Sequence, residues 1–202
     1  MPPHEREQMI LEGATRFFAK HGFGANMRDL ADECGVSQAL IFKYFETKEN
    51  LVDRVYERTF LQRWRPDWQE ILENRDKPLS DRLTDFYLSY LTTVDDYIWI
   101  RVALFSGLTG SNLTSRYIQK NVAGLMEIIA RELRVERGEE VQSEVSSLDL
   151  EEVWLLHSTF IYYLIRKHIF RTSVENDTSV LVKNVVASYL NGALSNEQNL
   201  PT

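Results

Sequence analysis

The stretch from Met27 to Phe45, MRDLADECGVSQALIFKYF, leaves the backbone few choices. Leu30 and Cys34 stand four apart and give a first helix one apolar face, while Ala31 beside them is small where a second helix would cross closely. Gly35 can take a left-handed turn that a residue with a Cβ resists, and Val36 can plug the corner behind it. Ser37 is a helix-capping residue, and the helix that it opens returns Ile41 and Tyr44 onto the first. Apolar positions at 30, 34, 36, 41 and 44, with Ala31 and Gly35, make seven constrained positions in about twenty residues, the helix-turn-helix pattern. Any tight helical hairpin is the competing reading. A generic hairpin, however, needs neither a cap serine directly after Gly-Val nor so short a second helix.

Around this stretch, helical periodicity dominates and no period-2 strand pattern stands out. Residues 5 to 21 place Ile10, Ala14, Phe17 and Phe18 on one stripe, ended by His21 and Gly22. Asn26 and Ser37 cap helices over 27–34 and 38–45, and Thr47 caps a fourth that Pro66 ends or kinks. A helix over 78–94 carries Leu79, Leu83, Phe86, Tyr90 and Leu91 on one face. DDYIWIRVALF (95–105) is apolar nearly all round apart from Arg101 and reads as a central buried helix, broken by SGLTGSN. A long amphipathic helix passes through Ile118, Val122, Leu125, Ile129 and Leu133. After the acidic connection VERGEEVQSEVSS, a helix capped by Asp149 runs to about 170, and a last one spans 178–194. The predicted fold is all-α, with about nine helices: a DNA-binding-type helix-turn-helix domain over 1–47 and a larger helical bundle over 48–202.

The charge balance narrows the partners. The net charge is −7, and residues 1–50 hold six Lys/Arg against eight Asp/Glu, so a polyanion cannot be held by bulk charge. Binding to nucleic acid must rest on where a few cations sit. No apolar run reaches the ~18 residues needed to span a bilayer, and MPPHEREQ is too polar to open a secretory signal. The single cysteine, Cys34, allows no internal disulfide; a reducing cytoplasm and a packed thiol, rather than a redox switch, are the expectation.

The segment ILEGATRFFAKHGFGANMRDLADECGVSQALIFKYFETKENLV resembles the N-terminal domain of the tetracycline-repressor (TetR) family of bacterial transcription regulators. The likeness lies in A..FF...GF, RDLA, GVS and YF.TKE.L in that order, over about the first 55 residues. Beyond them it is one of architecture alone. The resemblance implies a homodimer that binds a palindromic double-stranded DNA operator and is released by a small-molecule effector. It also implies that the last two helices form the dimer surface. Two departures stand out: the loop before the second helix is one residue shorter than usual, and Phe42 stands where tyrosine is common.

In such a motif the second helix enters the major groove with its N-terminal residues against base edges. Those are Ser37, Gln38 and Ala39; Gln38 can pair with an adenine edge and Ala39 can touch a thymine methyl. Arg28 can reach guanine or phosphate, whereas Lys43, Tyr44 and Lys48 suit phosphates, which position without reading sequence. Phe42 faces outward beside them without a hydroxyl. In the larger domain Phe86, Tyr90, Trp99, Arg101, Phe105, Trp154, His157, Ser158, Ile161 and Tyr162 are candidates to line an effector pocket, with plain core packing as the competing reading. Arg101 and His157 are ionisable groups on otherwise apolar helices, and a buried arginine needs an acid or an anionic ligand beside it.

Signatures of catalysis are missing. GFGANM departs from the dinucleotide-binding glycine pattern at Met27 and follows a helix. There is no phosphate loop, serine elbow or HExxH, and His157 and His168 lie eleven residues apart, too far to share one metal. No cofactor, metal or membrane is implied. The reading is a cytoplasmic, ligand-responsive transcription regulator, by resemblance a repressor, set against a helical protein-interaction module without DNA binding or an all-α enzyme.

Overall fold

The computed structural model describes residues 1–139 and 144–195. Residues 140–143 of the acidic connection, and 196–202 at the end of the larger predicted domain, lie outside the described residues. Among the described residues every regular element is helical, as the periodicity requires. The chain forms two compact units, Met1–Trp64 with Asp96–Ile118, and Arg65–Asp95 with the chain from Gln119 onward.

The first unit is built on α1 (Pro3–His21), which buries Ile10, Ala14, Phe17 and Phe18 against α2 (Met27–Glu33), α4 (Lys48–Thr59) and α7 (Tyr97–Leu108). Ile10, Phe17 and Phe18 each stabilise the fold by roughly 1.5–3 kcal/mol on leaving water, and the single methyl of Ala14 by less. At the end of α1, Gly22 adopts φ 79°, and a Cβ there would lie 2.9 Å from the Phe105 ring. Only glycine fits both conditions. Arg101 of α7 donates to the carbonyls of Ala19 and, at 3.1 Å, of Lys20, while its guanidinium lies 5.3 and 5.0 Å from the Tyr97 and Phe105 ring centroids. Its partner is therefore the electron-rich end of a helix rather than the acid or anion expected from sequence.

Three further expectations are corrected. The fourth helix ends at Thr59 instead of Pro66, because Phe60 turns into a cluster of rings with Tyr56, Trp99 and Tyr117. Pro66 then precedes a short helix, α5 (Asp67–Glu73), which the sequence reading missed. At a helix start proline's absent N–H costs nothing. Finally, α7 is not buried all round: Trp99, Ile100, Val102 and Ser106 face the interior, but Tyr97 is 39% exposed, and the helix runs through the expected break as far as Leu108.

In the second unit α6 (Leu79–Val94) packs on α5, on α9 (Ala123–Glu136) and on α11 (Thr178–Ser195). The long amphipathic helix is present, but begins as α8 (Leu113–Tyr117) and passes through a π-helical turn at Ile118–Val122 before α9. The helix α10 (Ser147–Leu164) ends in a second π-helical stretch, Ile165–Phe170. Its N-cap is Ser146; Asp149, expected as the cap, sits three residues inside and completes a capping box. Glu132 of α9 accepts from Arg82 at 2.7 Å and from Arg75 at 2.8 Å. Burial pushes its carboxyl upward, but the two guanidiniums outweigh this and hold it below its ordinary value.

Candidate nucleic-acid interface

The turn between α2 and α3 (Gln38–Phe45) takes the geometry anticipated for it. Gly35 has φ 66°, and Val36 N–H closes the corner on the Ala31 carbonyl at 3.0 Å. Leu30, Ala31, Ile41 and Phe45 are buried; Cys34, Val36 and Tyr44 are only half-buried, so the core is carried by fewer residues than the pattern implied. The Cys34 thiol is pushed up by burial and by Glu33 beside it, with Arg16 acting against this, and so stays protonated near neutral pH.

Three side chains that cap helices also fix the start of each. Asn26 accepts from Arg28 N–H at 2.9 Å, Ser37 from Leu40 N–H at 3.2 Å and Thr47 from Asn50 N–H at 3.0 Å. The start of α3 therefore leaves Ser37, Gln38 and Ala39 exposed together, with Lys43 one turn on. Phe42 and Tyr44 flank them half-buried, and Arg28 is exposed at the start of α2.

The charges of this face separate into two kinds. On α1, Arg16 is paired with Glu12, and Lys20 and His21 with Glu33; on α4, Arg54 is paired with Glu7 and Glu57. Arg28, Gln38 and Lys43 make no side-chain hydrogen bond or ion pair among the described residues. Arg16, Lys20 and Arg54 are thus neutralised by acids of the same unit, whereas Arg28 at the start of α2 and Lys43 on α3 are exposed with no such pair among the described residues. Lys48 behaves otherwise. Its Nζ donates to the Ala25 carbonyl at 2.9 Å, tying the start of α4 to the loop before α2. Sequence could not reveal this link, since its partner is a backbone oxygen 23 residues away.

The residues proposed to line one pocket do not all meet. Trp99, Arg101 and Phe105 belong to the first unit, where Trp99 packs on Phe60 and Tyr117. Phe86, Tyr90, Trp154 and His157 gather in the second, while Ser158 and Tyr162 are exposed on the outer side of α10 and Ile161 is half-buried. His157 is 5% exposed; Tyr90 Oη lies 3.5 Å from its Nε2, and burial lowers its pKa to about 4. Tyr87, which sequence reasoning did not single out, stacks on Phe160 with centroids 4.2 Å apart and lies 6.1 Å from the His157 ring. Its place one turn after Leu83 on the apolar stripe of α6 was the available signal. Between α10 and α11 runs a groove of about 630 Å³ lined by Leu155, Leu156, Thr159, Val180, Val185 and Tyr189, among others.

Among the described residues no group of three or more His, Cys, Asp or Glu could hold a metal ion, and no helix is long and apolar enough to cross a membrane.

Residues 10–55 match the family described as bacterial regulatory proteins, tetR family. Over 47 residues the chain is 53% identical to the transcriptional repressor AcnR of Corynebacterium diphtheriae, covering 23% of this chain and 25% of that protein. Over 94 residues it is 30% identical to the repressor KstR2 of Mycolicibacterium smegmatis, covering 46% of this chain and 45% of that one. The matches to these curated relatives thus span a quarter to just under half of their length. The fatty acid degradation regulator FadR from Bacillus halodurans has a similar fold, with TM-score 0.64 and 19% identity over 94% of this chain and 96% of that one.

Proposed function

We propose that the chain, whose residues 10–55 match the tetR family of bacterial regulatory proteins, is a cytoplasmic transcriptional repressor of that family that binds a palindromic operator as a homodimer and lets go when a small effector binds. Residues 1–47 form the DNA-binding domain and 48–202 the effector and dimer domain. The observation that carries the reading is the exposed start of α3. Gln38 and Ala39 are open there to base edges, and Lys43 on the same helix and Arg28 at the start of α2 are exposed without an ion pair among the described residues. Ser37 caps the helix and touches the backbone or a base from its free lone pair. Tyr44 reaches phosphate with its hydroxyl, Phe42 contributes apolar contact, and Lys48 holds the pose of α4 while its remaining protons face a phosphate.

Dimerisation through α10 and α11 is supported by the apolar side chains these helices leave exposed, among them Leu148, Leu155, Tyr162, Val180 and Leu194. The mechanism is a two-state dimer: effector binding in the larger domain shifts α4, changes the separation of the two recognition helices, and lowers operator affinity. The reading is of a regulator and not of an enzyme. Fluorescence anisotropy at fixed salt tests it, comparing palindromic DNA from the chain's own promoter region with random duplex. A clear preference for the palindrome is expected; equal affinity for both would sink the repressor reading.

A further inference from the structure

Buried polar groups in folded proteins are hydrogen-bonded almost without exception, and one left alone costs about 1–3 kcal/mol. The second unit holds three such groups in one region. Tyr87 Oη, His157 Nδ1 and Tyr189 Oη are buried and have no partner among the described residues. Tyr87 and His157 share a ring cluster with Tyr90, Trp154 and Phe160. Tyr189 joins them from α11: burial first, and then the neighbouring phenol of Tyr189, raise the Tyr87 hydroxyl well above its ordinary value. Tyr189 and Leu156, the chain neighbour of His157, also line the groove of about 630 Å³ between α10 and α11, a space of small-molecule size whose rim residues Leu155 and Val180 are among those proposed above for the dimer surface.

The chemistry of these groups is specific. All three are neutral near pH 7, because burial keeps the phenols protonated and the imidazole unprotonated. The nearby cations are already committed: Arg82 of α6 to Glu132 and the Leu72 carbonyl, and Arg137, which with Glu152 and Asp149 acts on Tyr189, to those two acids and the Ala193 carbonyl. An anionic ligand would therefore lose its hydration with no uncommitted cation to meet it, and a cationic one would find these acids already paired. A neutral ring faces no such cost, and aromatic walls suit its flat faces.

We propose that Tyr87, His157 and Tyr189 form the polar end of a binding site for an uncharged aromatic molecule bearing a hydroxyl or ring N–H. This rests on the effector reading above and names the class of effector. Phenol and indole serve as probes, with benzoate and benzylamine as charged counterparts of similar size, added to the full chain in thermal-shift and calorimetric titrations. The neutral probes are expected to raise the melting temperature and bind measurably, and the charged ones to do neither. Tyr87→Phe removes a hydroxyl that has no partner in the free protein. It is expected to leave the free protein as stable or more so, while weakening phenol by about ten-fold. His157→Phe should weaken it similarly; should that variant fail to fold, Tyr87→Phe carries the test alone. Binding of benzoate as tight as phenol, no binding of either neutral probe, or a Tyr87→Phe protein that is less stable yet binds phenol unchanged would each overturn the proposal. Operator binding by the ligand-free protein is measured alongside. If it is intact while the probes fail, the error lies in the site, and if it is absent while the probes bind, the error lies in the repressor reading.

Discussion

Protonating His157 would place a cation among the rings of Tyr87, Tyr90 and Trp154, where water cannot reach it. Burial accordingly lowers its pKa from 6.5 to about 4. In the unfolded chain the same imidazole keeps its ordinary value, so between these limits the unfolded state binds the proton and the folded state does not. The stability contributed is complete above the ordinary value and is lost as pH falls through it toward the lowered one. At about pH 5 the loss is about 2 kcal/mol, approaching about 3 kcal/mol at the lower limit. For a chain of this length that lowers the melting temperature by roughly 4–8 °C at about pH 5. Glu132 and Asp149 are held below their ordinary values and titrate further down, affecting any variant alike. The assay is urea unfolding of the wild type and of His157→Phe between about pH 7.5 and pH 5, comparing only the slopes. The wild type should lose about 2 kcal/mol more than the variant. Parallel loss in both proteins would refute the claim that the imidazole is kept neutral by burial.

Gln38→Ala should relax sequence preference at one base pair by about 1–3 kcal/mol with unchanged stability, read by anisotropy on operator variants. Lys43→Ala, on an exposed and unpaired side chain, should weaken all duplexes alike and lower the salt slope by about 1, again with stability unchanged. Lys48→Met should differ, because it also removes the bond to the Ala25 carbonyl: a loss of about 1 kcal/mol in urea unfolding should accompany the weaker binding. If Lys48→Met weakens binding without any change in stability, the tie to Ala25 is not formed in solution. Gly22→Ala should cost about 1–2 kcal/mol from its left-handed backbone alone, with more from the Phe105 contact; a variant as stable as wild type would show that this turn can relax.

Much of the small N-terminal domain was legible because its constraints are local. A cap serine, a turn glycine and apolar residues three and four apart act within about one turn of one another, and Asn26, Ser37, Gly35 and Thr47 all serve as expected. The errors arose where a tertiary neighbour decides. Phe60 leaves the line of α4 because rings from α7 and α8 receive it, and no local pattern announces those rings. Pro66 was read as a stop although proline equally begins helices, and only the chain beyond it tells the two apart.

The sequence by itself determined an all-helical chain, the helix-turn-helix and which residues of α3 lie outward, because helical phase settles all of these within a few residues. Tertiary structure alone decided the partners of its ionisable groups. Arg101 meets the carbonyl end of α1, Lys48 meets Ala25, Arg82 meets Glu132, and His157 is left neutral among rings. Each depends on a distance in space between residues remote in the chain. Nor could sequence reveal that the aromatic residues read as one pocket belong to two separate clusters, since type and spacing on a helix name the buried face but not the helix that covers it.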